Sequence, residues 1–289
     1  PYLIINTTLY NHGRRFTLTT LPPEAGRYDF FEDLRAAAAR RGQTAEYPPI
    51  LVKRWESLSA VTPLDLRIDP CPVKLAGAAA GSASFPPLVG PVTFRVGDEE
   101  FYWHTGDGGL YENTGIESLL FVLLKQLQDR KARRALILSF DSSYPFAVGY
   151  RLLSRRAEPW TLFSYDFSRI PGIMEERATA YAALFFRSLQ IQGVFPDNQT
   201  LHVVFLRHTD ARWQDDLSDL PEACRNETPP LSSPQAVVDR IAEIPTRFVI
   251  ASECDRQLLV AAAGKVVAQA QSEIEDFLAG RPTAEGTAR

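Results

Sequence analysis

Short apolar runs alternate along the chain with longer stretches in which apolar residues recur at helical spacing. The short runs predict strands at Leu3–Asn6, Phe16–Thr19, Val92–Val96, Glu100–His104, Ala135–Phe140 and Leu201–Leu206. The helical spacing predicts helices at Tyr28–Arg40, Pro72–Ala80, Ile173–Ile191, Gln235–Ile244 and Asp255–Leu278, and one more after a capping box at Thr114–Glu117. Alternating helices and strands predict an α/β fold, a central sheet with helices on both faces.

The segments between these elements set the expected domain organisation. Residues 42–70 and 209–233 hold many prolines and polar residues and are predicted to be loops. No convincing linker divides the chain, so we expect one domain at 1–279 and a disordered tail at 280–289. Leu3–Asn6 is apolar enough to predict a strand with neighbours on both sides. Because this strand opens the chain, we expect the chain to begin inside a domain.

Composition excludes several classes of function. The chain has 289 residues, is 45% hydrophobic and carries a net charge of -4, so nucleic acid is not an expected partner. Cys71, Cys224 and Cys254 are widely spaced and form no CxxC, which predicts neither a disulfide framework nor a zinc site. We therefore expect a reducing compartment, with the protein in the cytoplasm or at the membrane periphery.

One acidic turn is a candidate for chemistry. Asp107 lies in Gly106-Asp107-Gly108-Gly109, between a predicted strand and the capped helix. Flanking glycines permit positive φ and close backbone approach, so the carboxylate can project from a tight turn as a general base requires. Taken alone, the pattern favours a structural turn, because Asp-Gly is a common turn pair.

Four blocks in order resemble the patatin-like phospholipase family. They are Leu3–Thr8, Gly13–Thr17, Ala79–Pro87 and Asp107–Asn113, and the resemblance is firmer over about residues 1–130 than over 135–280. It implies a patatin-like central sheet, truncated at its N-terminal side, in a lipid acyl hydrolase that cleaves carboxylic esters. In that family the aspartate of the Asp-Gly-Gly turn activates a serine directly, without a histidine. The resemblance therefore implies that Asp107 is the catalytic base.

The family's nucleophile does not occur in these residues. The chain has no Gly-x-Ser-x-Gly, and the segment closest to it, Gly81–Phe85, lacks the second glycine and follows a predicted helix. Ser82 and Ser84 are therefore interpreted as packing residues. The family places its serine and its glycine-rich oxyanion loop upstream of the opening strand, so we expect both before Pro1 and expect this chain alone to be inactive.

Two other functional classes stay open beside the hydrolase. One is a catalytically inactive patatin-like module used for binding or scaffolding. The other is an unrelated α/β domain in which the Asp-Gly-Gly turn is accidental. The sequence upstream of Pro1 distinguishes the hydrolase from the module, since an intact Gly-x-Ser-x-Gly favours the enzyme and a replaced serine favours the module.

The resemblance also assigns supporting roles. Asn113 matches the family's asparagine after the turn and, with Gly106, Gly108 and Gly109, is expected to support Asp107. His104 is interpreted as a strand-end residue and not as a member of a triad. No metal or organic cofactor is implied. The implied substrate is a lipid or another acyl ester.

Two further segments have an expected role in contacts with substrate or membrane. Lys125, Arg130, Lys131, Arg133 and Arg134 form a basic cluster near a helix C-terminus, where such charges are common. A peripheral contact with anionic lipid is the alternative interpretation of this cluster. Phe140–Phe146 follows a strand and is a candidate lining of a substrate groove.

Overall fold

The computed structural model describes residues 1–69, 73–85, 89–98, 100–112, 115–141, 180–181, 184–185, 187–189, 194–195, 199–228, 230–244 and 252–281. The chain divides into two compact units, Pro1–Ile137 with Ile173–Leu201 and Leu138–Gly172 with His202–Arg289. This division does not test the expectation of one domain at 1–279, which stays a prediction. The predicted tail is described only as far as Arg281.

The first unit contains a four-stranded sheet. Its strands are β1 (Ile4–Leu9), β2 (Arg14–Thr19), β3 (Val92–Arg95) and β4 (Tyr102–Asp107). They lie in the order β2-β1-β4-β3, and each neighbouring pair is antiparallel. The opening strand is therefore an inner strand with partners on both sides, as its apolar sequence predicts. A tight turn at Gly13 joins β1 to β2, and one at Gly97 joins β3 to β4, each glycine having a positive φ.

The helices of this unit are α1 (Phe30–Arg40), α2 (Pro49–Glu56), α3 (Leu75–Ser82) and α4 (Ile116–Gln128). Asp29 caps α1 by accepting hydrogen bonds from the N–H groups of Phe31 and Glu32. α1 buries Phe31, Leu34 and Ala38, the face predicted from the sequence. Of the predicted helix at Ile173–Ile191, the described positions 180–181, 184–185 and 187–189 are helical, and the other positions lie outside the described residues.

The structure refines two predictions near prolines, since residues 42–70 are mostly loop, as predicted, but contain a helix, and one helix begins later than predicted. Residues 42–70 are not all loop, because α2 begins directly after Pro48 with Pro49 in its first turn. Proline is favoured at the start of a helix, where its missing N–H costs no hydrogen bond and its φ is already helical. α3 begins at Leu75, later than the predicted Pro72.

Helices cover both faces of the four-stranded sheet. One face carries Leu9, Phe16 and Leu18, which form a buried cluster with Ala78 of α3. The other face carries Arg15, which pairs with Glu117 of α4 across 3.2 Å between Nη1 and Oε2. Alternate side chains of a strand point to opposite faces, so each strand contributes to both layers. The prediction of a mixed α/β fold with helices on both faces of a sheet is confirmed for this unit.

The start of α4 corrects the predicted capping box. The N-cap is Gly115, in the left-handed region at φ 70°, and not Thr114. The carboxylate of Glu112 accepts a hydrogen bond from the N–H of Ile116 at 3.1 Å and so satisfies one free donor of the helix end. Glu117 pairs with Arg15 instead of reaching back to the cap.

The C-terminal part of the chain has strands and helices close to those predicted. β5 (Arg134–Asp141) and β6 (Thr200–Arg207) form a two-stranded sheet. α5 (Pro234–Glu243) and α6 (Glu253–Leu278) follow, each capped by a serine side chain. An ion pair between the Arg240 guanidinium and the Asp255 carboxylate joins the two helices at 2.8 Å. The predicted loop at 209–233 contains the 3-10 turn Glu222–Cys224.

A disulfide bond in the second unit contradicts the prediction from the cysteines. Cys224 and Cys254 are bonded, with their Cα atoms 4.8 Å apart. Cys254 lies in the first turn of α6, and Cys224 ends the 3-10 turn before α5. The two cysteines are 30 positions apart and carry no spacing signature, so only the packing of α6 against that turn brings the two sulfurs together.

Candidate functional site

Asp107 is the last residue of β4 and lies opposite Thr7 of β1. The two strands are antiparallel, so the C-terminal end of β4 lies at the end of the sheet where β1 begins. The turn begins two residues later than the predicted Gly106. Gly106 and Asp107 still belong to the strand, and the chain leaves it in the 3-10 turn Gly108–Leu110.

Hydrogen bonds hold the main chain of Asp107 on both sides. Its N–H donates to the carbonyl of Ser84 at 3.0 Å, and its carbonyl accepts from the hydroxyl of Thr8 at 2.7 Å. The side chain caps the following turn, where Oδ1 accepts from the N–H of Gly109 at 2.7 Å. Two main-chain contacts that do not depend on the charge of Asp107 therefore fix its backbone, and one hydrogen bond that does depend on the charge orients its carboxylate.

Burial raises the pKa of the Asp107 carboxyl above its usual value, and the hydrogen bond from Gly109 lowers it in part. The pKa of the nearby Tyr10 hydroxyl is raised as well. Its pKa is raised first by burial and then by the negative charge of Asp107. Asp107 therefore lies in a partly dehydrated environment, in which a carboxylate is a stronger base than in water.

The glycines beside Asp107 allow close packing and do not supply positive φ. Among the described residues, the glycines with positive φ are Gly13, Gly42, Gly97, Gly115 and Gly280. A Cβ atom on Gly108 would lie 2.5 Å from the carbonyl oxygen of Asn6. A Cβ atom on Gly106 would lie 1.8 Å from the hydroxyl of Tyr10. The close approach of Tyr10 to Gly106 and of Asn6 to Gly108 is therefore the structural reason for these glycines.

Asn6 of β1 connects the strand to both helical layers, a role that the sequence analysis missed. Its side-chain oxygen accepts from the hydroxyl of Ser118 on α4 at 2.6 Å. Its carbonyl accepts from the hydroxyl of Ser82 on α3 at 2.7 Å and lies against Gly108. An amide side chain in a strand of otherwise aliphatic and β-branched residues is the signal that could have identified it.

The structure gives Ser82, Ser84 and His104 structural contacts. Ser82 donates to the carbonyl of Asn6, and Ser84 donates to the carbonyl of Ala80 at 2.6 Å, so each hydroxyl binds main chain and not a base. The ring of His104 hydrogen-bonds the hydroxyl of Thr93 at 3.1 Å between Nδ1 and Oγ1. His104 and Asp107 are three residues apart on one strand, so their side chains point to opposite faces.

Three other predicted regions are described only in part. Asn113, the expected support of Asp107, lies outside the described residues, as do residues 142–146 of the candidate groove lining. In the basic cluster, Lys125 and Lys131 both pair with Asp129, at 2.6 and 3.2 Å. These pairs, with the hydrogen bond from Lys125 first, lower the pKa of Asp129. The two lysines therefore share one carboxylate, which offsets one of their two charges.

A shallow cleft in the first unit does not include Asp107. It opens on the α4 face of the sheet and is lined by Arg15, Thr17, Phe121 and Val122, among others. The side chain of Arg15 is buried and already binds Glu117 and the carbonyl of Leu58. Thr19 and Ser118 of the lining also donate within the chain, to the carbonyl of Leu3 and to the side-chain oxygen of Asn6, so the cleft carries no functional assignment.

No protein-family model, no curated protein and no solved structure matches this chain. Within the described ranges, no group of three or more His, Cys, Asp or Glu side chains could hold a metal ion. No helix in the described part of the chain has the length and apolar character needed to cross a bilayer. The geometry around Asp107 and the four sequence blocks are therefore the basis for assigning a function.

Proposed function

We propose that this chain is the C-terminal part of a patatin-like lipid acyl hydrolase in which Asp107 is the base of a Ser–Asp dyad. The serine would come from a Gly-x-Ser-x-Gly segment that is not among these 289 residues. The observation that carries the proposal is the placement of Asp107. It ends an inner strand, its main chain is held by Ser84 and Thr8, and burial raises the pKa of its carboxyl.

The proposed reaction uses Asp107 twice. The carboxylate takes the proton of the serine hydroxyl as the serine oxygen attacks the acyl carbonyl, and it then returns that proton to the leaving alcohol. A glycine-rich loop outside this chain would donate N–H groups to the oxyanion. A raised pKa suits this role, because a base whose pKa is closer to the working pH accepts the proton more readily.

The edge of β1 next to Asp107 supports the same proposal. β1 pairs with β2 from Ile4 to Leu9, but with β4 only from Thr7 to Leu9. Within the described residues, no strand pairs with Ile4–Asn6 on the β4 side. A further strand could therefore pair with β1 at Ile4 and Ile5, whereas the carbonyl of Asn6 is already bound by Ser82 and packed against Gly108.

The first experiment is to sequence the reading frame upstream of the codon for Pro1. The proposal expects a Gly-x-Ser-x-Gly segment between a predicted strand and a predicted helix. The protein that includes this segment should then react with a fluorophosphonate at that serine, whereas the 289-residue chain alone should neither react nor hydrolyse p-nitrophenyl esters. A replaced serine would instead indicate the binding or scaffolding module.

The second experiment tests the base. In the protein that carries the serine, Asp107→Asn should lower ester hydrolysis by roughly 10²–10⁴-fold, the usual scale for loss of a general base. The thermal midpoint should change little, because asparagine keeps the oxygen that accepts from Gly109. Asp98→Asn, at an exposed turn of the β3–β4 hairpin, is the matched control and should leave turnover unchanged. Near-normal turnover of Asp107→Asn would refute the assignment.

A further inference from the structure

α2 presents an apolar surface to solvent. None of its residues is buried. Ile50 is 60% exposed and Leu51 is 50% exposed, and the segment that follows adds Leu58 at 39% and Leu64 at 58%. Aliphatic side chains grouped in this way on one short segment are a usual mark of an interaction surface.

Trp55 anchors α2 to the core from the flank next to Leu51. The ring of Trp55 packs against Phe30, Phe121 and Phe185, with centroid distances of 5.0, 5.3 and 5.3 Å. Its indole N–H donates to the carbonyl of Tyr28 at 3.1 Å. Trp55 therefore fixes the helix to the aromatic cluster of the first unit, while Ile50 and Leu51 stay exposed to solvent.

Cations lie beside the apolar residues on the outer surface. Lys53 and Arg54 are exposed. At about 100° per residue, Ile50, Leu51 and Arg54 fall within one arc of about 100°. Lys53 lies about 60° from Ile50 on the other side of that arc, and Glu56 lies about 60° beyond Lys53. Apolar side chains with adjacent Lys or Arg are typical of helices that lie in the interface of an anionic membrane.

We propose that the outer surface of α2 docks on a lipid surface with anionic headgroups, where Ile50 and Leu51 enter the acyl region and Lys53 and Arg54 bind phosphate. A membrane suits this surface better than a protein groove, because α2 is a short convex helix whose cations flank its apolar side. The basic cluster near Asp129 is a weaker candidate, since two of its lysines are paired within the chain. The proposal deepens the proposed function by locating the surface at which a lipid hydrolase would meet its substrate.

Co-sedimentation with large unilamellar vesicles tests the proposal on this chain and requires no turnover. Vesicles of phosphatidylcholine with about 30% phosphatidylserine should bind the chain, and pure phosphatidylcholine should bind it more weakly, because each cation near an anionic surface contributes about fivefold in affinity. The double variant Ile50→Ser with Leu51→Ser should lower binding at least about tenfold. Lys53→Gln with Arg54→Gln should remove only the increment that phosphatidylserine provides.

Leu75→Ser is the matched control, because Leu75 is 64% exposed but belongs to α3. It should leave vesicle binding unchanged, and circular dichroism should show that all variants are folded. The proposal fails if the chain does not bind vesicles, or if binding is unaffected by the change at Ile50 and Leu51. It also fails if that change abolishes a dimer seen by sedimentation velocity while vesicles are not bound. Vesicle binding without hydrolysis by the complete protein would refute the proposed function alone.

Discussion

Replacing Gly108 with alanine should destabilise the protein, because the new methyl group has no space. A Cβ atom at this position would lie 2.5 Å from the carbonyl oxygen of Asn6 and 3.1 Å from its carbonyl carbon. Both atoms belong to the main chain of an inner strand, so they cannot move away by rotating a side chain. The strand or the turn must shift, and either shift displaces Asp107.

The expected cost follows from the nature of that contact. Insertion of one methyl group into a packed site usually costs about 1–3 kcal/mol, and a rigid backbone neighbour favours the upper end. The free energy of unfolding can be measured by urea denaturation followed by circular dichroism, where an unchanged slope with a lower midpoint indicates a change in stability alone. In the complete protein, the same variant should also lose ester hydrolysis, since Asp107 is the neighbouring residue.

Gly77 provides the matched control within α3. A Cβ atom there would meet no atom within 4 Å, and the position is helical. Gly77→Ala should therefore stabilise the protein by roughly 0.5–1 kcal/mol, because alanine loses less conformational entropy in a helix than glycine does. If Gly108→Ala were as stable as the wild type, the close packing of the turn against Asn6 would be wrong, and with it the explanation for the glycines beside Asp107.

Three further predictions concern the charges and the disulfide. Arg15→Met should destabilise the protein by about 1–3 kcal/mol, because it leaves Glu117 half-buried without its partner, and adding Glu117→Gln should recover part of that loss in urea titrations. Cys224→Ser should lower the free energy of unfolding by about 2–4 kcal/mol, since it opens a loop of 30 residues closed by Cys254, and the wild type treated with a reductant should show the same fall. Burial raises the pKa of Asp107, so the folded state binds the carboxyl proton more tightly than the unfolded state does. The stability that this proton provides is present at acid pH and is lost as the pH rises through the raised pKa. Asp107→Asn should lack this loss when its free energy of unfolding is compared with that of the wild type from acid to neutral pH, and identical pH profiles would contradict the prediction.

Local patterns in the sequence predict most of the elements but not what brings them together. Apolar alternation locates β1 and β2, and helical spacing locates α1 and α4, because burial of one face dictates both patterns. The sequence does not predict α2, because the prolines of residues 42–70 favour a loop, whereas a proline at the first position of a helix is favourable.

The disulfide and the role of Asn6 depend on contacts between distant segments. Cys224 and Cys254 meet only because α6 packs against the turn that ends at Cys224, and no spacing rule encodes that packing. Asn6 gains its importance from Ser82 and Ser118, which are 76 and 112 residues away. Such pairings follow from the order and register of the strands, which the sequence alone does not give.

The sequence predicts where along the chain Asp107 follows a strand, but not which contacts hold its turn in place. The sequence identifies Asp107 as a carboxylate at the end of a strand, and β4 does end there. The sequence also suggests that the glycines supply positive φ, but the structure shows that they allow β1 and Tyr10 to approach. The close neighbour of Gly108 is the main chain of β1 and that of Gly106 is the side chain of Tyr10, and no local turn rule contains those neighbours.

The contacts of Asp107 bear on its proposed role as a catalytic base, because its carboxylate also caps the following turn. A carboxylate that only stabilises a turn gains most from several donors, and such donors lower its pKa. At Asp107 the main chain carries the structural contacts, to Ser84 and Thr8, while in the described part of the chain the carboxylate receives the N–H of Gly109 and no side-chain donor. The two main-chain contacts are therefore independent of the proton on the carboxyl, whereas the hydrogen bond from Gly109 weakens when the carboxyl gains a proton. A general base must change its protonation state in every turnover while its backbone stays in place, and the two main-chain contacts meet that requirement.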